Sequence, residues 1–280
     1  MMDRFEIDAG AEAGFDPPSG QEALWAALRA EAARAAEAEP ALRGLLELSV
    51  LRHESLRHAL AALLARKLAE TLMPAERLED LVREAGPALV ELAAADLAAN
   101  RRRDPAARGW LAPFLYYKGF HALTWHRVAH GLWLEGRQDL ALYLQSRCAL
   151  VFGVDIHPAV PVGRGVFIDH ATGVVVGETA VIGNDVSILQ GVTLGGTGKE
   201  RGDRHPKVRD GVLLSAGATV LGNIEVGRGA KVGAGSVVLA SVPPCATVAG
   251  VPARVVGWCR EAVAALSMDQ SLPSESSPSA

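Results

Sequence analysis

Aliphatic or alanine side chains return at every sixth position beyond Val154, and no other feature constrains the fold of this chain as strongly. They stand at Val162, Ile168, Val174, Ala180, Val186 and Val192, then after an interruption at Val208, Leu214, Val220, Val226, Val232 and Val238. The hexads read VGRGVF, IDHATG, VVVGET, AVIGND, VSILQG and VTLGGT, then VRDGVL, LSAGAT, VLGNIE, VGRGAK, VGAGSV and VLASVP. A six-residue repeat rich in Gly and Val is the signature of a parallel β-helix. Each hexad supplies one short strand and one tight turn. Its aliphatic first position points inward, and glycine takes turn conformations that strain other residues. Three hexads close a triangular coil, and coils stack at about 4.8 Å, the spacing of hydrogen-bonded strands. The twelve hexads predict about four coils. An ordinary β-sandwich does not hold so strict a register.

The interruption is the ten-residue stretch GKERGDRHPK, residues 198–207, charged and poor in apolar side chains. A solenoid extrudes such insertions as loops, which often form a binding face. The expected object for this loop to cover is a neighbouring chain.

Before the repeats the texture is different. Residues 1–20 carry Gly, two prolines and acidic side chains without a period, the pattern of a flexible arm. From Gln21 the chain is rich in Ala, Leu, Glu and Arg, and Leu24, Ala27, Leu28, Ala32 and Ala35 fall on one stripe of a 3.6-residue helix. SLRHALAALLARKLAETLM and LVELAAADLAANRRR behave alike, with good helix formers and few β-branched residues. Turn signals at Pro40, Pro74, Pro87, Asp104-Pro105 and Gly136 divide the region into several helices. The organisation predicted is an arm (1–20), an all-α oligomerisation domain (21–153), a β-helix domain (154–258, loop 198–207) and a disordered Ser/Pro-rich tail (259–280).

Composition narrows the function. The 280 residues hold 28 Lys plus Arg against 32 Asp plus Glu, a net charge of −4, which gives no electrostatic reason to expect nucleic acid or an anionic membrane as partner. No window approaches the ~18 uninterrupted apolar residues of a membrane span, and the acidic N-terminus lacks a secretory signal. The chain reads as cytoplasmic. Its three cysteines, Cys148, Cys245 and Cys259, form no CxxC pair and read as reduced packing residues.

Two nucleotide-binding lookalikes fail. GGTGKE lacks the Walker spacing and the Ser/Thr after Lys, and GRGAKVG has three residues before its last glycine and no βαβ context. Arg101-Arg102-Arg103 reads as a solvated helix end. His53 and His58 read as solvated and His121 as a packing residue. His126 and His130 share a helix face, but no third metal ligand is apparent. His157, His170 and His205 differ because they lie in the β-helix half, in VDIHP, DHATG and GDRHPK. A repeat does not need Asp-His or Arg-His in place of turn residues, so His170 is a candidate for catalysis on position alone.

The run from VDIHPAVPVGRGVFIDHATG through LGGTGKERGDRHPKVRDGV, with LGNIEVGRGAKVGAGSVVL and AGVPARVVG, resembles the bacterial serine O-acetyltransferases. The resemblance reaches into the helical half through RDPAARGWLAPFLYYKGFHAL and covers roughly residues 20–258. DHATG, GGTGK and GDRHPK together are its most specific elements. It implies an N-terminal helical domain followed by a left-handed parallel β-helix. The implied reaction is direct acetyl transfer from acetyl-CoA to the hydroxyl of L-serine, giving O-acetyl-L-serine at the start of cysteine synthesis.

By resemblance His170 is the general base that an alcohol nucleophile requires, and Asp155 orients its imidazole as a triad carboxylate does. Arg204 suits the serine carboxylate through its planar fork, with His205 a further donor, and Asp169 and Asp104 match the acids that meet the ammonium group. Gly196, Thr197, Ala216, Lys231 and Ala234 match the acetyl-CoA groove, where Gly and Ala let the pantetheine arm approach the backbone. No metal is implied. The family pattern places the site between chains of a homotrimer, which its helical domains commonly pair into a hexamer, and makes L-cysteine a feedback inhibitor in the serine pocket. Many members end in an isoleucine that inserts into O-acetylserine sulfhydrylase. This chain ends SLPSESSPSA with Ala280 last, which puts that complex in doubt.

The rivals are a hexapeptide acetyltransferase acting on a sugar or xenobiotic hydroxyl, a zinc enzyme resembling the gamma carbonic anhydrases, and a non-catalytic scaffold. The first has no need of Asp104 and Arg204-His205, the second needs three imidazoles around one metal, and the third has no use for a histidine beside a carboxylate.

Overall fold

The computed structural model describes residues 20–198, 201–258 and 263–272. The expected arm lies almost wholly outside them, as do Cys259 and residues 199–200 of the loop. The chain forms two compact units, Met1–Phe152 and Gly153–Ala280.

The first unit is helical: α1 (Gln21–Ala38), α2 (Arg43–Leu46), α3 (Leu56–Leu68), α4 (Ala75–Glu84), α5 (Gly86–Arg103), α6 (Leu111–Tyr116), α7 (Lys118–Leu134) and α8 (Gln138–Phe152). Leu24, Leu28, Ala32 and Ala36 line the buried face of α1, close to the predicted stripe. Its Glu31 accepts from the main-chain N–H groups of Trp110 and Leu111, both at 2.9 Å, and so satisfies the open N-terminus of α6. Helix α7 is buried on nearly every side. It can carry Arg127 there because Asp96 of α5 pairs with the guanidinium through Nε (2.9 Å) and Nη2 (3.1 Å).

The arginine run is less solvated than its sequence suggests. Arg103 is buried, and the Arg101 guanidinium sits 4.3 Å from the Trp110 ring centroid, a cation–π contact. His121 is a core residue, its Nε2 2.7 Å from the Phe114 carbonyl oxygen.

The second unit is a parallel β-helix of three sheets. The first stacks β1 (Val154–Ile156), β3 (Val174–Val176), β6 (Thr193–Gly195), β9 (Thr219–Leu221) and β12 (Val237–Val238). The second holds β4 (Val181–Ile182), β7 (Lys207–Val208) and β10 (Glu225–Val226). The third runs from β2 (Phe167–Ile168) through β5 (Ser187–Ile188), β8 (Leu213–Leu214) and β11 (Lys231–Val232) to β13 (Ala246–Gly250), with β14 (Ala253–Trp258) antiparallel at its edge. The first sheet has five strands, one more than the coil count from the hexads, because VDI before the first hexad forms β1.

Register explains how the repeat works. Val175 pairs with Thr193, and Thr219 with Val237, each 18 residues on. Two coils are longer. Val154 pairs with Val174, 20 residues on, so two extra residues lie between Ile168 and Val176. Thr193 pairs with Thr219, 26 residues on, so eight extra residues lie between Leu194 and Val208. After the first insertion the strand residues facing the core are Val176, Ile182, Ile188 and Leu194. The sequence count picks out Val174, Ala180, Val186 and Val192 instead, which are equally buried but stand two residues earlier, at the start of a strand or in the corner before it. Along one corner Gly173, Gly191, Gly217 and Gly235 repeat with φ of 80°, 70°, 69° and 65°, a left-handed turn that favours glycine.

Two expectations need correction. Cys148 is free and buried, but Cys245 is disulfide-bonded, with its partner outside the described residues. Within the stretch read as a disordered tail, residues 264–267 form α9 (Ala264–Ser267). Ala265 donates its N–H to the Gly211 carbonyl (3.2 Å) and accepts from the Ser187 hydroxyl (3.0 Å). This segment therefore lies on the outer side of the third sheet, where Phe167, Ser187 and Leu213 are fully covered. Among the described residues no helix is long and apolar enough to cross a membrane.

Burial, with a smaller contribution from the Lys67 charge, pushes the His121 imidazole down to about 3, against the pull of its bond to Phe114. The folded chain then holds one proton fewer than the unfolded chain between the ordinary histidine value near 6.5 and about 3. Stability is therefore lost as pH falls through that window, by up to about 1.4 kcal/mol per pH unit. His121→Gln is expected to flatten that dependence by about one proton in urea unfolding at pH 6.5, 5.5 and 4.5.

Candidate active site

Both insertions carry candidate residues. The shorter one is Asp169–Gly173, at the corner leading from the third sheet into the first. Packing two extra residues into a tight corner forces His170 (φ 55°) and Ala171 (φ 63°) into the left-handed region, a strain of roughly 1–3 kcal/mol each for residues with a Cβ. Ala171 anchors the turn by full burial, and Thr172 N–H donates to the His170 carbonyl at 2.7 Å. The imidazole is thrown outward, 72% exposed in the single chain, with Nε2 3.8 Å from Asp169 Oδ2. That distance is an electrostatic contact rather than a hydrogen bond. Asp155 stands at the centre of β1, half-buried, beside Val175.

The longer insertion begins at the opposite edge of the first sheet, where β6 runs into Gly196 and Thr197. Its returning limb places Arg204 and His205 over the preceding coil. Arg204 donates through Nη2 to Glu178 Oε2 (2.7 Å) and through Nη1 to the Gly202 carbonyl (2.9 Å), which leaves three of its five N–H donors. The Glu178 carboxyl is held below the usual range chiefly by that bond to Arg204. The Thr179 hydroxyl accepts from the main-chain N–H of Arg204 (2.9 Å) and of His205 (3.0 Å). The His205 ring fits because position 177 has no side chain: a Cβ on Gly177 would lie 2.1 Å from Nε2. Burial first, and Arg204 second, push the His205 pKa down. His157 on the corner one coil earlier is lowered by burial too, with Glu178 and Asp155 opposing.

One chain thus gathers His157, Glu178, Thr179, Arg204 and His205 at one edge of the first sheet and sets Asp169 and His170 at the other. The three-residue strands between them span about 10 Å at the rise of an extended strand. Ala216 and Ala234 lie on the same corner as His170, one and two coils beyond Gln190. Lys231 in β11 is engaged by the C-terminal segment, its ammonium donating to the carbonyls of Asp269 (3.1 Å) and Ser271 (2.6 Å). Asp104 belongs to the helical unit. Just past α5, its carboxylate accepts from Ala106 N–H (2.8 Å) and the Tyr117 hydroxyl (2.5 Å). Glu178, Thr179 and Tyr117 escape the sequence reading. GET looks like any polar solenoid turn, and Tyr117 sits in a helix-rich stretch. Among the described residues no group of three His, Cys, Asp or Glu side chains is arranged to hold a metal ion.

A hexapeptide-repeat solenoid that projects an imidazole beside a carboxylate and fixes an arginine on an extruded loop defines an acyltransferase. Comparisons with known proteins agree. Residues 24–124 match the model of the serine acetyltransferase N-terminal domain, and residues 205–240 match the bacterial transferase hexapeptide repeats. A serine acetyltransferase of Haemophilus influenzae is 55% identical over 250 residues, 88% of this chain and 94% of that protein. A serine acetyltransferase solved in complex with cysteine superposes with TM-score 0.88 at 54% identity, covering 90% of this chain and 99% of the other. One solved in complex with CoA gives TM-score 0.81 at 54% identity, covering 85% and 100%. The chain belongs to the serine acetyltransferase family.

The seat of His205 is testable. Gly177→Ala forces the imidazole off Thr179, with an expected loss of at least about tenfold in acetyl-transfer kcat/KM, equivalent to ~1.4 kcal/mol. Far-UV circular dichroism should be unchanged, because position 177 already has ordinary L-residue geometry.

Proposed function

We propose that His170 is the general base in the reaction of this family, the transfer of the acetyl group of acetyl-CoA to the hydroxyl of L-serine. The carrying observation is the two-residue insertion that projects an exposed imidazole beside Asp169 from an otherwise regular coil. The imidazole takes the serine hydroxyl proton as the oxygen attacks the thioester carbon. The tetrahedral intermediate then collapses, the C–S bond breaks, and the imidazolium returns the proton to the leaving sulfur. O-acetyl-L-serine and CoA are the products, with no acyl-enzyme. Asp155 orients the ring and stabilises its charged form.

Serine is a zwitterion, and the residues supply both signs. Arg204 offers its carboxylate the remaining guanidinium donors, with His205 adjacent, and Asp169 and Asp104 serve the ammonium. Because His170 and Arg204 flank opposite edges of one sheet, a serine-sized molecule does not bridge them within a single chain. That supports a site completed by a second copy, in a homotrimer. Acetyl-CoA follows Gly196, Thr197, Ala216 and Ala234, with Lys231 toward a phosphate once its ammonium exchanges the carbonyls of Asp269 and Ser271. L-cysteine, matching serine at both charged ends, competes for the same pocket. The assignment to the cytoplasm rests on composition. The sulfhydrylase question turns on Ala280, outside the described residues.

Thiol release from acetyl-CoA tests this reading, run with L-serine, L-homoserine, a galactoside, chloramphenicol or no acceptor. Release should require L-serine, fall about 10²–10⁴-fold in His170→Ala as for loss of a general base, and be suppressed by L-cysteine. Turnover only with a sugar or drug would keep the fold and remove the amino-acid site. Sedimentation of the same sample should show a trimer or a multiple of three.

A further inference from the structure

The corner that holds Arg204 and His205 contains more information than the position of two side chains. A threonine hydroxyl has two acceptor sites and one proton. At Thr179 the main-chain N–H groups of Arg204 and His205 fill the acceptor sites, at 2.9 and 3.0 Å. Its proton has two acceptors in reach, His205 Nδ1 at 2.8 Å and the Asp203 carboxylate, so the state of Nδ1 is settled by the main chain. The Thr179 main-chain N–H also points at Nδ1, at 3.2 Å. A backbone N–H can only donate, so Nδ1 carries no proton, and a neutral ring must carry its hydrogen on Nε2. That atom packs against two glycines, in the place a Gly177 Cβ would occupy (2.1 Å) and 3.6 Å from the site of a Gly196 Cβ.

We propose that Thr179 is a positioning residue that locks His205 in the Nε2–H tautomer, so that His205 acts on the substrate as a neutral hydrogen-bond donor and not as a base. The proposal rests on the serine acetyl-transfer reading and deepens it: the His205 Nε2–H and the spare Arg204 donors on the corner opposite His170 suit a carboxylate. The same device recurs one coil earlier, where Ala159 N–H donates to His157 Nδ1 at 3.2 Å.

The charged and titratable groups around His205 are Arg204, Glu178, Lys207 and His157, with Asp203 bonded to Lys207 and Thr179 behind them. Burial, Arg204, Lys207 and His157 disfavour a second positive charge there, and Glu178, already paired with Arg204, favours it. Protonating Nδ1 would also set N–H against N–H. Both the surroundings and the geometry therefore favour the neutral ring.

The test combines a spectroscopic and a kinetic measurement on the full-length oligomer. In protein labelled with 15N-histidine, His205→Asn identifies the His205 signals. They should report a bare Nδ1 and a protonated Nε2, with protonation displaced below the ordinary histidine value. Thr179→Ser should keep that signature, whereas Thr179→Val, which removes the anchor of the Arg204 and His205 main-chain N–H groups and so frees the ring from the Thr179 N–H, should give mixed tautomers. In steady-state assays Thr179→Val should raise KM for L-serine about tenfold with KM for acetyl-CoA within twofold, and Thr179→Ser should recover it.

A wild-type His205 that titrates near 6.5, or carries its proton on Nδ1, overturns the proposal. So does a Thr179→Val enzyme indistinguishable from Thr179→Ser in both measurements. If the wild-type enzyme shows no serine-dependent turnover, the reaction assignment fails, while the 15N signature still decides the tautomer on its own.

Discussion

The structure depends on strand-to-strand hydrogen bonding that repeats every coil. Each strand finds its partner in the coil before and the coil after, and an aliphatic side chain turns inward at each. A coil that gains residues must therefore expel them at a corner, because a strand that took them up would turn its inward side chain outward and leave the register of both neighbours. The solenoid tolerates irregularity only where the three sheets meet. Both additions obey that rule, and the pairing on either side of them resumes undisturbed.

Chemistry is placed by this constraint. Two extra residues at one corner turn the backbone left-handed and project an imidazole. Eight extra residues at another form a limb long enough to fold back onto the preceding coil, where Glu178 and Thr179 secure its side chain and main chain. The rigid coils fix both devices relative to one another, and the first sheet holds them apart. Preorganisation of this kind is what positions catalytic groups without reorganisation during reaction.

Much of the fold is legible because its cause is periodic. The hexads specify the solenoid, and a charged stretch that breaks their rhythm specifies the loop. The phase after Ile168 is not legible, because the strand positions Val176, Ile182, Ile188 and Leu194 and the positions two residues earlier are both small or aliphatic. The eye accepts either series, so the short insertion that carries His170 passes unnoticed, although DHATG draws attention for its residue types. Glu178 and Thr179 stay hidden for a different reason: their importance comes from a residue 26 positions later folding onto them, which no local pattern encodes. Arg103 misleads in the same way: a basic run looks solvated until a tertiary partner covers it. Val263–Leu266 is a short apolar stretch obscured by the Ser/Pro-rich sequence that follows it.

The architecture makes catalyst and scaffold separable. Shortening the stretch between Ile168 and Val176 by two residues would return that coil to the length of its regular neighbours, with every strand still opposite its partner. A solenoid so edited would keep its shape and lose its projecting imidazole.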